Sequence, residues 1–213
     1  MSQAKDKNIR YLGLKLFAAV VIGTGLVFVW SSTNHKNNAQ VKDTWVDDAG
    51  YLHVLNIKLG KTTLRDAEIA LKSRSDIAMY VYPQEHVNAG MRLEAYFPSI
   101  ADHSKVILEL KADELTLKQL QMRATMPHIY PNTVARMNLN PEDLPRVQLL
   151  TVEKLTLIPS IDITPELLEA RFGEPENVIT GEETVYYYPS LGLTAQLKKE
   201  DAARLLFQNP KAP

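Results

Sequence analysis

The 213-residue chain contains no cysteine. That excludes disulfides, cysteine-ligated zinc, a thiol nucleophile and a lipid-modified N-terminal cysteine. Neither sign of charge predominates. Lys and Arg total 24 against 25 Asp and Glu, a formal net charge of −1, so no basic excess points to nucleic acid. Histidine is scarce: His35, His53, His86, His103 and His128 show neither i,i+4 pairing nor H-x-x-H spacing, which removes local support for a metal site. No glycine-flanked nucleophile elbow occurs.

The local patterns that imitate active sites have plainer readings. Gly60-Lys61-Thr62 ends like a phosphate-binding loop, but Leu55 stands where the motif needs its first glycine. A strand-to-helix turn with a threonine cap accounts for it. Asp102-His103-Ser104 holds three hydrolase residue types, yet neighbours in sequence cannot converge as nucleophile, base and orienter. A polar hairpin tip fits better. The acidic pairs Asp47-Asp48, Asp113-Glu114 and Glu182-Glu183 diverge on a strand or a helix and read as solvated surface. No catalytic residue, cofactor or metal is therefore expected.

What is present begins with an apolar run. Leu16 to Trp30 has no charge, and extending it back to Tyr11 admits only Lys15. As a helix, residues 11–30 reach about 30 Å, the thickness of a bilayer's hydrocarbon core. Lys15 can snorkel to the headgroups, Leu16 opens the run, and Trp30 stands where an interfacial anchor would. Lys5, Lys7, Arg10 and Lys15 against Asp6 make the preceding flank net positive. This pattern predicts a single-pass helix in a bacterial inner membrane, N-terminus cytoplasmic and C-terminal domain periplasmic. The alternative is a cleaved signal peptide. Trp30-Ser31-Ser32 and Asn37-Asn38-Ala39 both lack the A-x-A form of a cleavage site.

The rest divides by composition. Residues 1–31 form a cytoplasmic tip and anchor, 32–50 a polar tether, 51–125 a first α+β unit, 126–150 a connector with four prolines, and 151–213 a second α+β unit. In the first unit, strands are expected over Tyr51–Leu59, Ile77–Tyr82, Arg92–Phe97 and Lys105–Leu110, with a helix capped by Thr62 or Thr63. In the second, Val152–Ile161, Thr184–Tyr188 and Leu193–Leu197 read as strands. Thr164, Pro165, Gly173 and Pro175 delimit a helix that turns Leu167, Leu168 and Phe172 to a core. Glu94–Ile100 echoes Thr184–Leu191 around an aromatic-Pro-Ser core, and helices are expected at Glu114–Ala124 and Glu200–Gln208. The predicted class is α+β: an N-terminal transmembrane helix followed by two helix-plus-antiparallel-sheet repeats.

Tyr186-Tyr187-Tyr188 is the best candidate for partner contact. On a strand Tyr186 and Tyr188 share one face and Tyr187 takes the other, so at least one phenol faces outward. The run Thr164-Pro165-Glu166-Leu167-Leu168-Glu169-Ala170-Arg171-Phe172-Gly173-Glu174-Pro175, followed by Tyr188-Pro189-Ser190-Leu191-Gly192-Leu193, resembles the small envelope modules of the BamE (SmpA/OmlA) and β-lactamase-inhibitor-like type. The likeness covers about 35 residues. The chain departs from BamE in having no lipidated cysteine, so outer-membrane barrel assembly does not carry over. The resemblance implies an envelope-facing binding or scaffold module. The expected function is therefore a non-enzymatic, membrane-anchored periplasmic protein that engages another envelope protein. The rival expectations are an envelope-polymer hydrolase and a lipid or small-ligand binder.

Overall fold

The computed structural model describes residues 44–86, 89–125, 127–199 and 201–210. Short strands dominate them. Three come first: β1 (Thr44–Val46), β2 (Leu52–Val54) and β3 (Ile57–Lys58). Leu55 and Asn56 both take positive φ, 50° and 63°, which folds β2 back on β3 through a two-residue turn. The single strand expected over Tyr51–Leu59 is thus a hairpin.

Helix α1 (Leu64–Leu71) starts where the Thr63 hydroxyl accepts from the Asp66 N–H at 3.2 Å, and ends at Lys72 in the left-handed region. It buries Leu64, Ala67 and Leu71, one face at helical spacing. Strands β4 (Asp76–Tyr82), β5 (Gly90–Phe97) and β6 (Lys105–Leu110) follow as a meander. Helix α2 (Glu114–Arg123) is capped by Asp113, whose carboxylate accepts from the Thr116 N–H at 2.6 Å. The proline-rich segment, expected to be irregular apart from one short turn of helix after Asn140, contains that turn as α3 (Leu144–Val147) and also two strands, β7 (His128–Ile129) and β8 (Ala135–Asn138). Then come β9 (Val152–Ile158), α4 (Pro165–Phe172), β10 (Asn177–Thr180), β11 (Thr184–Tyr188), β12 (Leu193–Lys198) and β13 (Asp201–Gln208).

Strands β4 to β13 make one ten-stranded sheet in the order β10-β11-β12-β13-β9-β6-β5-β4-β8-β7, and every pairing is antiparallel. Strand β9 is inserted between β6 and β13, so it joins the two meanders into one surface. Leu93, Phe97, Leu108, Leu155, Leu193 and Phe207 point to a single face of this sheet. Leu64 and Ala67 of α1, Leu120 of α2, Leu168 of α4 and Leu52, Val54 and Ile57 of the small sheet pack into the same core. Asn209 ties the small sheet down: its side chain accepts from the Leu52 N–H at 2.8 Å and donates to the Leu59 carbonyl at 3.2 Å.

Three expectations are corrected. The class is mainly β, with four short helices against thirteen strands among the described residues, rather than α+β with a leading membrane helix. The repeat fails where the two echoes should match: Glu114–Arg123 is a helix, whereas Asp201–Gln208 is a strand. Ala203, Leu205 and Phe207 alternate into the core between β9 and β12, and that burial overrides the helix propensity of Ala202-Ala203-Arg204-Leu205-Leu206. No helix among the described residues is long and apolar enough to cross a membrane. The span expected over 11–30, with Lys15, Leu16 and Trp30, lies outside the described residues. A single-pass inner-membrane placement with a periplasmic domain therefore has no support in the structure.

Candidate functional site

The helices and the small sheet bury one face of the large sheet, and no described element packs on the other. The open face was legible only after the pairing was known. Its middle row runs through eight strands: Asp76 beside Tyr96, then Ile107, Thr156, Leu206, Thr194, Tyr187 and Asn177, each directly opposite the next. Ile158 and Val185 flank this row on the same face. Tyr96, Ile107, Leu206 and Tyr187 thus alternate with threonines along a partly exposed row that joins no part of the core, and Lys105, Arg204 and Gln196 share the flanking row with Ile158 and Val185. Seven strand spacings of about 4.8 Å make the whole middle row about 34 Å long.

A charged row lies next to it. Glu94, Glu109, Lys154 and Gln208 stand opposite one another across β5, β6, β9 and β13. Two glutamates face to face repel, and their neighbours relieve this. Lys154 Nζ reaches both Glu109 carboxylate oxygens at 3.0 and 3.1 Å, and Arg92 approaches the same carboxylate at 3.4 Å. The Tyr82 hydroxyl donates to Glu94 at 3.1 Å. Burial pushes the Glu94 carboxyl above its usual range; the Glu109 charge adds to this, while the Tyr82 hydroxyl and Arg92 oppose it. Burial, followed by the Glu94 charge, also raises the Tyr82 phenol. Beyond this row Arg136 pairs with Asp76 at 2.7 Å beside Tyr80, whose phenol burial also raises. The two carboxylates thus sit on a sheet face, each held by named partners.

The sequence-predicted residues divide between the faces. Tyr186 and Tyr188 are core residues, 9% and 2% exposed. Tyr188 packs against Phe172 with ring centroids 5.9 Å apart. Tyr187 belongs to the open row. Sequence reasoning missed Tyr80, Tyr82 and Tyr96. The signal was there in Asp76–Tyr82, where Ile77, Met79 and Val81 alternate with Tyr80 and Tyr82.

The imitated active sites resolve into structural roles. Thr62 accepts from the Lys58 N–H at 2.9 Å. Asp102 accepts from the Ser104 N–H at 3.0 Å, and the Ser104 hydroxyl accepts from the Ser160 N–H at 3.2 Å, which ties the β5–β6 loop to the segment after β9. Asp47 is held well below the usual carboxylate range by Lys58, then by His53 and the Tyr51 N–H, and so fixes the small sheet. No group of three metal-ligating side chains occurs among the described residues. No family model matches the chain, and neither curated proteins nor solved structures show a match.

Proposed function

We propose that this chain is a non-enzymatic recognition module that engages another protein across the open face of its large sheet. The observation that carries the reading is the uncovered row Tyr96–Ile107–Thr156–Leu206–Thr194–Tyr187. This row spans five strand spacings, about 24 Å, and with the polar rows on either side it offers roughly 500 Å², the size of one side of a small, transient protein interface. Its composition supports the same reading, with tyrosine and aliphatic residues at the centre and Glu94, Glu109, Lys154 and Arg92 at the margin. The space between helices and sheet is filled by side chains such as Leu93, Phe97 and Leu120, which leaves little room for an internal ligand. The resemblance to small envelope modules implies a binding role as well.

The test is affinity capture from the native source with wild-type chain, Ile107→Arg and Leu206→Arg. Both side chains are half-exposed, so each variant should melt within a few degrees of wild type, about 1 kcal/mol. Each should lose the captured partner, a weakening of about thirtyfold or more for a central contact. Retention of the partner by both variants overturns the reading, as does turnover of a polymer by the purified chain.

A further inference from the structure

The edge of the large sheet carries a second, separate signal. Strand β10 closes the sheet and pairs with β11 alone. Two hydrogen bonds determine which of its backbone groups remain open. The Gly181 N–H donates to the Glu183 carbonyl at 3.0 Å, and the Glu176 N–H to the Tyr187 carbonyl at 2.9 Å. Stepping back by two residues from Gly181 makes Ile179 with Val185, and Asn177 with Tyr187, the pairs that exchange bonds with β11. Val178 and Thr180 then turn their N–H and C=O groups away from the sheet. The side chains of Val178 and Ile179 are also 44% and 51% exposed.

Sheet edges are ordinarily blunted by proline, lysine or brevity. The opposite edge follows that rule, since β7 has two residues between Pro127 and Pro131. Strand β10 does not. Asn177-Val178-Ile179-Thr180 contains neither proline nor lysine. The charges that flank it in sequence between Phe172 and Thr184 are all acidic: Glu174, Glu176, Glu182 and Glu183 are exposed. None of the four joins an ion pair among the described residues. Glu176 only accepts a long hydrogen bond from the Ser190 N–H at 3.4 Å.

We propose that β10 is a strand-addition site for an extended segment of another protein, apolar at alternate positions and flanked by lysine or arginine. The backbone groups of Val178 and Thr180 would bond the guest strand, and the four glutamates would select its flanks. Charge decides between this guest and a second copy of the chain. Pairing β10 with its own copy would bring both sets of glutamates onto one seam, whereas a basic-flanked strand neutralises one set. The edge is a different surface from the open face, so each reading can fail without the other.

The probe is a fluorescein-labelled peptide, Lys-Thr-Val-Thr-Ile-Thr-Lys, titrated into the full chain and followed by anisotropy. Its control has glutamate in place of both lysines. The lysine peptide should bind at least about tenfold more tightly, and its affinity should fall with added salt. The Val178 and Thr180 amides should gain protection from hydrogen exchange on binding. Val178→Pro removes an N–H that makes no bond within the sheet, so it should leave the melt unchanged and weaken binding about tenfold. Glu182→Lys combined with Glu183→Lys takes the flanking charge from four negative to neutral, so it should abolish the preference between the two peptides, and it decides the matter if Val178→Pro fails to fold. Equal binding of the two peptides overturns the proposal. So does a dimer that forms at micromolar chain and is abolished by Val178→Pro.

Discussion

Replacing Tyr188 by phenylalanine should stabilise the protein. The ring is 2% exposed and touches Phe172 at 5.9 Å between centroids, so its apolar body belongs to the core. Its hydroxyl is buried and has no hydrogen-bond partner among the described residues. A buried hydroxyl left unsatisfied costs roughly 1–3 kcal/mol, and Tyr188→Phe removes it while keeping the ring. A gain of about 1 kcal/mol is expected, which raises Tm by about 2–4 °C for a chain of this size. Tyr188→Ala instead opens a cavity and should cost about 3–5 kcal/mol. Tyr187→Ala, on the open face, should stay within about 1 kcal/mol of wild type. Urea unfolding followed by circular dichroism separates the three. Burial, then the Glu169 charge, raises the Tyr188 phenol above the ordinary 10.0. The folded state therefore holds this proton longer than the unfolded state. Stability should fall as pH rises through the unfolded tyrosine range towards the raised value, and Tyr188→Phe should show less of that fall. A loss of 1 kcal/mol or more in Tyr188→Phe would refute the reasoning, because it would mean the hydroxyl is well bonded. Equal losses in Tyr187→Ala and Tyr188→Ala would refute the assignment of the two faces.

Two further outcomes follow from the same geometry. Gly192 has φ +58°, and a Cβ there would lie 1.9 Å from the Gln208 carbonyl oxygen, so Gly192→Ala must displace the end of β13. It should cost about 2–4 kcal/mol in the same denaturation assay, well beyond the left-handed backbone term alone. Glu94, raised by burial, binds its proton more tightly when folded, so wild-type stability should fall as pH rises from its ordinary 4.5 to the raised value. Glu94→Gln should flatten that part of the profile, and an unchanged pH slope would count against the burial.

Local chemistry was legible along much of the chain. Thr164, and Thr63 as one of two candidates, were legible as caps because a short oxygen-bearing side chain precedes an apolar periodic run, whereas Asp113, read as solvated surface, caps its helix as well. Lys105–Leu110 and Thr184–Tyr188 read as strands from period-two alternation, which also placed Tyr187 opposite its two neighbours. The β2–β3 hairpin was missed because Leu55 and Asn56 prolong the alternation while their backbone turns back. Strand β10 went unread because its four residues sit between acidic, turn-rich segments.

What the sequence by itself determined was therefore part of the capping, most of the strands and the absence of cysteine chemistry. It also ruled out a glycine-rich phosphate loop and a nucleophile elbow. The tertiary structure alone decided that Val152–Ile158 lies between Lys105–Leu110 and Asp201–Gln208, that two meanders share one sheet, and that Asp201–Gln208 is extended. It also decided which face stays open, and so brought Tyr96, Ile107, Leu206 and Tyr187 into one row. The physical reason is range. A cap or an alternation is satisfied within a few residues, whereas strand order is settled by hydrogen bonds and burial between segments roughly fifty residues apart, which no local pattern encodes.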